Sequence, residues 1–400
     1  MDLSVEEVGK KIGRREFITL MAALMSFAAL SIDAMLPALN LIGQSLGVQN
    51  PNDNQMIISF IFLGMGVGQL FFGPISDAIG RKPAMYIGIA IFFVGGLISL
   101  NAHTFTMMLV GRFTQGLGAA SAKIISTAMV RDRFSGKLMA KTMSLIMIIF
   151  VLVPALAPTI GQVILSFGGW RDIFLIMLVL AVLCLAWFTV RQEETLHEEY
   201  RRPLSYKKIK DAAIETLSHP ITISYTLASG LVFGAFIGYL NTSQQILQIK
   251  YGLGEDFPLA FGVLASFIGL SSFLNSRLVE EFGMKKLCRL ALTTISFIAI
   301  TFNIILFFTG GLPPFFLFYG FLLLSLFSFG LLFGNFIALA LEPMGHIAGT
   351  ANSVVSSVQI IISATIGGVI GQMYSGDVTP IALGFLICST LSLFIVLKVK

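Results

Sequence analysis

Gly73-Pro74-Ile75-Ser76-Asp77-Ala78-Ile79-Gly80-Arg81-Lys82-Pro83 interrupts a long apolar stretch with a glycine turn and three charges. The apolar runs that flank it, near 55–76 and 84–101, each have about the 20 residues that cross a bilayer as a helix. So short a loop between two such runs makes an antiparallel pair of membrane helices. Gly73 permits close helix packing and Gly80 a tight turn. Asp77 and Arg81 offer a charge pair that one conformation makes and another breaks, which, with Lys82, suits a moving joint. A plain basic loop with a glycine turn is the simpler reading of the same residues.

The pattern repeats in both directions. Further apolar runs fall near 17–39, 106–129, 138–165 and 172–190. Beyond a charged stretch at 191–219, six more follow near 220–240, 258–278, 288–309, 314–340, 349–374 and 378–397. Twelve spans of about 20 residues use about 240 positions, which leaves no room in 400 residues for a tethered catalytic, ATP-hydrolysing or receptor domain. Composition agrees: 56% of residues are apolar and only 12% charged, against about 25% charged in soluble domains. Mean hydropathy is +0.88. The sequence therefore predicts an all-α polytopic membrane protein with twelve transmembrane helices in two six-helix bundles. The expected division is 1–190, a cytoplasmic linker at 191–219, and 220–400. Two echoes support the duplication: Asp77-Ala78-Ile79-Gly80-Arg81-Lys82 with Glu280-Glu281-Phe282-Gly283-Met284-Lys285, and Ile160-Gly161-Gln162 with Ile370-Gly371-Gln372. Duplicated halves are a transporter architecture, with the substrate site between them.

Charge placement gives an independent test of the twelve. With the amino end inside, 22 of the 26 basic residues fall in cytoplasmic segments, among them Lys10, Lys11, Arg81, Lys82, Arg131, Arg133, Arg201, Arg202, Lys285, Lys286, Arg289 and Lys400. The other side keeps Arg171 and Lys250, and Arg112 and Lys123 lie inside the fourth run. Short loops biased this way place both termini in the cytoplasm. The net charge of +5 therefore belongs to membrane topology, not to nucleic acid. The start could pass for a secretion signal, but its apolar run reaches Leu39 and contains Asp33, so it reads as an uncleaved first span. Cys184, Cys288 and Cys388 stand apart in apolar runs, with no metal-ligand spacing.

At this point the residues resemble a known family. Gly73 to Pro83 looks like the signature loop of the major facilitator superfamily. Gly111-Arg112-Phe113-Thr114-Gln115-Gly116-Leu117-Gly118-Ala119 resembles the fourth-span motif of its drug–proton antiporters. Pro154-Ala155-Leu156-Ala157-Pro158-Thr159-Ile160-Gly161-Gln162 resembles their fifth-span antiporter motif, with Gln162 in place of the usual second glycine. Ser31-Ile32-Asp33-Ala34-Met35-Leu36-Pro37-Ala38-Leu39 is similar to the first-span signature of the bicyclomycin/chloramphenicol-resistance (Bcr/CflA) group. Met129 to Phe134, Tyr225 to Gly230 and Ala348 to Ser353 extend the likeness to the eleventh span. The resemblance implies a bacterial inner-membrane exporter of small amphiphilic drug-like molecules. It would be driven by the proton gradient without a cofactor or metal, and is expected to act as a monomer.

The residues themselves point the same way. Asp33 and Arg112 are costly inside a membrane, at about 2.5–3.5 kcal/mol each near the centre of a lipid-facing helix. With span one ending near Leu39 and span four starting near Thr106, both lie about 9 Å below the same surface. Equal depth permits mutual interaction, either as a coupling pair or as a static buried ion pair. Arg112, Gln115, Lys123 and Ser126 form one stripe within about 80° on a helix, and such a stripe faces a cavity or the bundle interior. Span one matches it with Thr19, Ser26 and Asp33, and span eleven carries Asn352, Ser356, Gln359 and Ser363. That last set reads equally as cavity lining or interhelical hydrogen bonding. The expected cavity residues are Ser26, Asp33, Arg112, Gln115, Lys123, Asn352 and Gln359.

Lys123 lies about 12 Å from the end marked by Arg131, too deep to snorkel easily. With Arg112 and an ionised Asp33, the cavity would sum to about +1, favouring neutral, zwitterionic or anionic cargo over lipophilic cations. An ion-paired or interfacial lysine with no role in selectivity is the plainer alternative. Pro154 and Pro158 bend the fifth span, and the aromatics of the tenth run, Phe315 to Phe329, are expected mostly against lipid or neighbouring helices. An enzyme is excluded by the lack of a His-Glu-x-x-His or phosphate-loop motif, with His103, His197, His219 and His346 at loops or membrane edges. A passive channel would not explain duplicated halves with an acid in one of them. Export of a native metabolite or siderophore, with drugs as incidental cargo, is the alternative within transport.

Overall fold

The computed structural model describes residues 12–201 and 204–399; Lys10, Lys11, Arg202 and Lys400, which the orientation argument used, lie outside the described residues. Among these, twelve helices of 20 residues or more follow one another. The first half holds α1 (Arg14–Asp33), α2 (Met56–Ile79), α3 (Arg81–Leu100), α4 (Phe105–Arg133), α5 (Gly136–Phe167) and α6 (Trp170–Arg191). The second holds α7 (Pro220–Ser243), α8 (Phe257–Phe282), α9 (Met284–Thr309), α10 (Phe315–Leu341), α11 (Ala348–Gln372) and α12 (Thr379–Lys398). Between them lie a single 3-10 turn at Glu198–Tyr200 and a surface helix at Tyr206–Ser218. Glu215 of that helix meets His346 at 2.6 Å, tying the connector to the second half.

The internal echo has a backbone counterpart. Gly80 breaks α2 from α3 at φ +103°, and Gly283 breaks α8 from α9 at φ +75°. Both are conformations that side chains with a Cβ avoid. The first span departs from the continuous run expected over 17–39. α1 ends at Asp33, a 3-10 turn runs over Leu36–Ala38, and a short helix resumes at Leu39–Ser45. Pro37 supplies the break, since it cannot donate its own backbone hydrogen bond. Asp33 is therefore in the last turn of a helix, not six residues inside one.

The fourth helix is not apolar enough to count as a span by composition, unlike the other long helices. Its polar stripe lowers its hydropathy, so it must be shielded by neighbours. Glycine provides the close approach: a Cβ on Gly116 would run into the carbonyl oxygen of Ile61 on α2, and one on Gly118 into the backbone of Phe92 on α3.

The halves meet chiefly where α2 packs along α11 and α5 along α8. Hydrogen bonds that join them gather at the end away from Arg81. Gln55 Nε2 donates to Gln245 Oε1 at 2.5 Å, and Gln245 Nε2 to Asn52 Oδ1 at 3.2 Å. Asn52 Nδ2 donates to the Tyr374 carbonyl at 2.7 Å, while Gln372 Nε2 returns a bond to the Asn52 carbonyl at 3.0 Å. Asn241 reaches Ser59 at 3.0 Å and Gln244 the Pro37 carbonyl at 3.1 Å. These amides form a latch built without ionised groups.

Candidate functional site

Between the halves lies a cavity of about 190 Å³. Its walls come from α1, α2, α4 and α5 on one side and α7, α8, α10 and α11 on the other. Most of the lining is apolar, including Phe62, Phe150, Phe233, Phe236, Phe261, Phe329 and Phe333; the polar members are Asp33, Lys123, Tyr239 and Ser272. Phe329 stacks on Phe236 at 4.9 Å and on Phe233 at 5.6 Å. Tyr239 stacks on Phe261 at 6.0 Å. The Lys123 ammonium sits 5.8 Å from the Phe333 ring centroid, so the cation reaches from the first half to an aromatic of the second. Ring faces attract such cations.

Asp33 is 5% exposed, and its Oδ1 is buried with no hydrogen-bond partner among the described residues. The Tyr239 hydroxyl is in the same condition. Neither Asp33 nor Lys123 makes an ion pair with any described residue. An isolated buried charge is strongly disfavoured, so such groups must be neutralised or given a partner.

Arg112 departs from expectation. It is fully buried but lies outside the cavity lining, and it makes no ion pair with Asp33. Its guanidinium donates to the Ile57 carbonyl at 3.2 Å, Gln115 Oε1 at 2.7 Å and the Ser31 carbonyl at 3.0 Å. The physical reason is the early end of α1. Carbonyls in a final helical turn lack intrahelical donors and favour a cation nearby, and Ser31 is two residues from that end. Arg112 thus holds the backbone beside Asp33, not its carboxylate. From the other side, a Cβ on Gly161 would collide with the Ala34 carbonyl oxygen. The fourth-span and fifth-span motifs therefore clasp residues 31–34 between them.

Of the other residues expected around the cavity, Gln115 is occupied by Arg112 and outside the lining. Ser26 is buried without a partner for its hydroxyl and also lies outside. Gln359 lines a separate small recess beside Phe329 and Phe333, and Asn352 is half-buried away from both. The cavity therefore holds one acid and one base, not the surplus cation expected when Arg112 was counted. Pro154 lines it and Pro158 is buried; α5 continues through both.

The Gly73–Pro83 loop carries a charge network centred on a buried arginine. Arg81, 3% exposed, pairs with Asp77 and donates from Nε to Asp132 Oδ2 at 2.8 Å. It also reaches Ser76 Oγ at 2.8 Å. The Glu194 carboxylate caps α3, accepting from the Arg81 amide at 3.0 Å and the Lys82 amide at 2.9 Å. Lys82 Nζ donates to the Thr189 carbonyl at 3.0 Å. Gly73 abuts Ser353 of α11. Asp132 and Glu194 were missed from sequence as partners of Arg81, because they lie 51 and 113 residues away. Asp132 stood within the family-like Met129–Phe134 stretch, which was the available signal.

The sequence profile of the Major Facilitator Superfamily matches residues 17–371. The chain belongs to that superfamily. It is thus a multi-pass membrane transporter, not an enzyme. A bicyclomycin resistance protein homolog of Haemophilus influenzae is 28% identical over 392 residues, covering 94% of each chain. The multidrug resistance protein MdtL of Klebsiella pneumoniae is 31% identical over 263 residues, 64% of this chain and 65% of its own. Among solved structures, a D-xylose–proton symporter superposes with a TM-score of 0.75 over 96% of each chain at 15% identity, a likeness of fold alone.

Proposed function

We propose that this transporter is a proton-coupled antiporter that exports small amphiphilic, drug-like molecules across the bacterial inner membrane by alternating access. In this reading it works as a monomer, with both termini in the cytoplasm. The observation that carries it is the Asp33 carboxylate, buried and unpartnered in an aromatic cavity between two halves. A carboxylate there is stable when it binds a proton or faces a polar group of the cargo. Proton and cargo then compete for one side chain. Reciprocal linkage makes each weaken the other by the same factor, which is the requirement for exchange. The names of the bicyclomycin and multidrug resistance relatives support the cargo class. The bias of basic residues to one set of loops supports the orientation.

The test is Asp33→Asn in purified proteoliposomes. The variant is expected to fold and bind cargo, to lose accumulation driven by a pH gradient, and to bind with less dependence on pH. Proton-driven accumulation retained by Asp33→Asn overturns the assignment and leaves Asp33 a structural residue.

A further inference from the structure

An acid and a base face one apolar cavity from different helices, Asp33 from α1 and Lys123 from α4, and no ion pair joins them to each other or to any described residue. Arg112, the other buried charge nearby, is held by two carbonyls and Gln115, with no bond to Asp33. The walls of the cavity they share are largely aromatic, with Phe329 stacked on Phe233 and Phe236.

We infer that the preferred cargo is a compact aromatic zwitterion whose cationic group faces Asp33 and whose carboxylate faces Lys123, with its ring among Phe233, Phe329 and Phe333. This deepens the antiport reading and rests on it. A purely cationic cargo would leave Lys123 uncompensated beside it, and a purely anionic cargo would do the same to Asp33; in a low-dielectric cavity each unpaired charge is heavily penalised. A zwitterion answers both at once. It also gives the coupling its sign: a proton on Asp33 removes the partner of the cargo's cation, so protonation expels the cargo. An anion would instead bind better to the protonated site, the wrong sign for exchange. The volume of about 190 Å³ lies below the roughly 300–1,000 Å³ of drug-sized sites, which favours one ring with a short charged arm.

A matched set of probes tests this on the full-length purified protein: the dipeptide phenylalanylglycine, its carboxyl amide, its N-acetyl form, and the form blocked at both ends. Calorimetric binding to the wild type is expected to be tightest for the zwitterion, with about a tenfold loss on blocking either charge. In Lys123→Gln the carboxyl amide should bind as well as the zwitterion, and in Asp33→Asn the N-acetyl form should do so. Lys123→Arg, which keeps the charge, should keep the preference and guards against a folding defect in Lys123→Gln. Equal affinity for all four forms, a preference for the singly charged cation, or no binding of any form overturns the inference. Equal affinities that still fall on acidification would leave the antiport reading standing. A zwitterion preference with no pH dependence would keep the cargo class but remove the antiport reading and the coupling sign argued from it.

Discussion

At Arg112 a buried cation is held without an acid. Its three acceptors lie in different directions, at 3.2, 2.7 and 3.0 Å, and only a forked guanidinium serves all of them. Lysine would keep the charge but offers one nitrogen, and each buried acceptor left unsatisfied costs about 1–3 kcal/mol. Arg112→Lys is therefore expected to lower the melting temperature by several degrees and to cut transport, although the charge is unchanged. The loss arises because the Ser31 carbonyl is released and Asp33 is no longer held in place. Thermal unfolding and transport by Arg112→Lys at wild-type levels would show that charge alone suffices. The sequence revealed that Asp33 and Arg112 are expensive and close in depth. It did not reveal their partners, because depth along a helix says nothing about where a neighbouring helix ends. Pro37 sits four residues beyond Asp33 in an unbroken apolar run, so the break that turns Arg112 toward a backbone carbonyl leaves no mark in hydropathy.

At the scale of helices, punctuation carries much of what the sequence discloses. The twelve helices were legible because glycine, proline and charge interrupt runs of membrane-spanning length, and Gly80 and Gly283 mark equivalent breaks in the two halves. The polar stripe of α4 identified it as shielded, but a stripe names a face and not the neighbour that meets it. Lys123 reached the cavity; Arg112 and Gln115, on the same stripe, did not. The aromatic lining was missed because α10 carries aromatics on every side, and the i, i+4 spacing of Phe329 and Phe333 is shared by Phe315 and Tyr319 on the same helix. The Arg81 network makes a graded prediction. Asp132 is the more buried partner, with 14% side-chain exposure against 31% for Asp77, and it also accepts from Thr195 at 3.1 Å. Asp132→Ala should destabilise the first half more than Asp77→Ala. Reversing the charge in Asp77→Lys should impair turnover more than expression, read as export per molecule inserted. Normal export by Asp77→Lys removes the gating role of the loop.

For the whole molecule, the position of the latch decides which motion is available. Its amide bonds lie at the end of the halves away from Arg81, and they join residues 52–59 and Pro37 to residues 241–245 and 372–374. In the proposed orientation, with the amino end in the cytoplasm, that end would face outward and the latch would close the outside. The Asp77–Arg81–Asp132 cluster lies within the first half, but Gly73 of the same loop meets Ser353 of α11, so rocking the halves must part that contact at one end and the latch at the other. Amides suit such a contact, since each neutral hydrogen bond contributes only about 0.5–1.5 kcal/mol net, and water can replace it when the mouth opens. Locking this end should therefore stop the cycle without abolishing access from the other side. In a background with Cys184, Cys288 and Cys388 replaced by alanine, Gln55→Cys with Gln245→Cys places two thiols where the amides meet at 2.5 Å. Cross-linking them with a short cleavable reagent should block transport in proportion to the fraction linked, and cleavage should restore it. Cargo binding from the basic end should survive. Full transport after quantitative cross-linking would show that the halves do not separate there, and alternating access by rocking about this cavity would have to be abandoned.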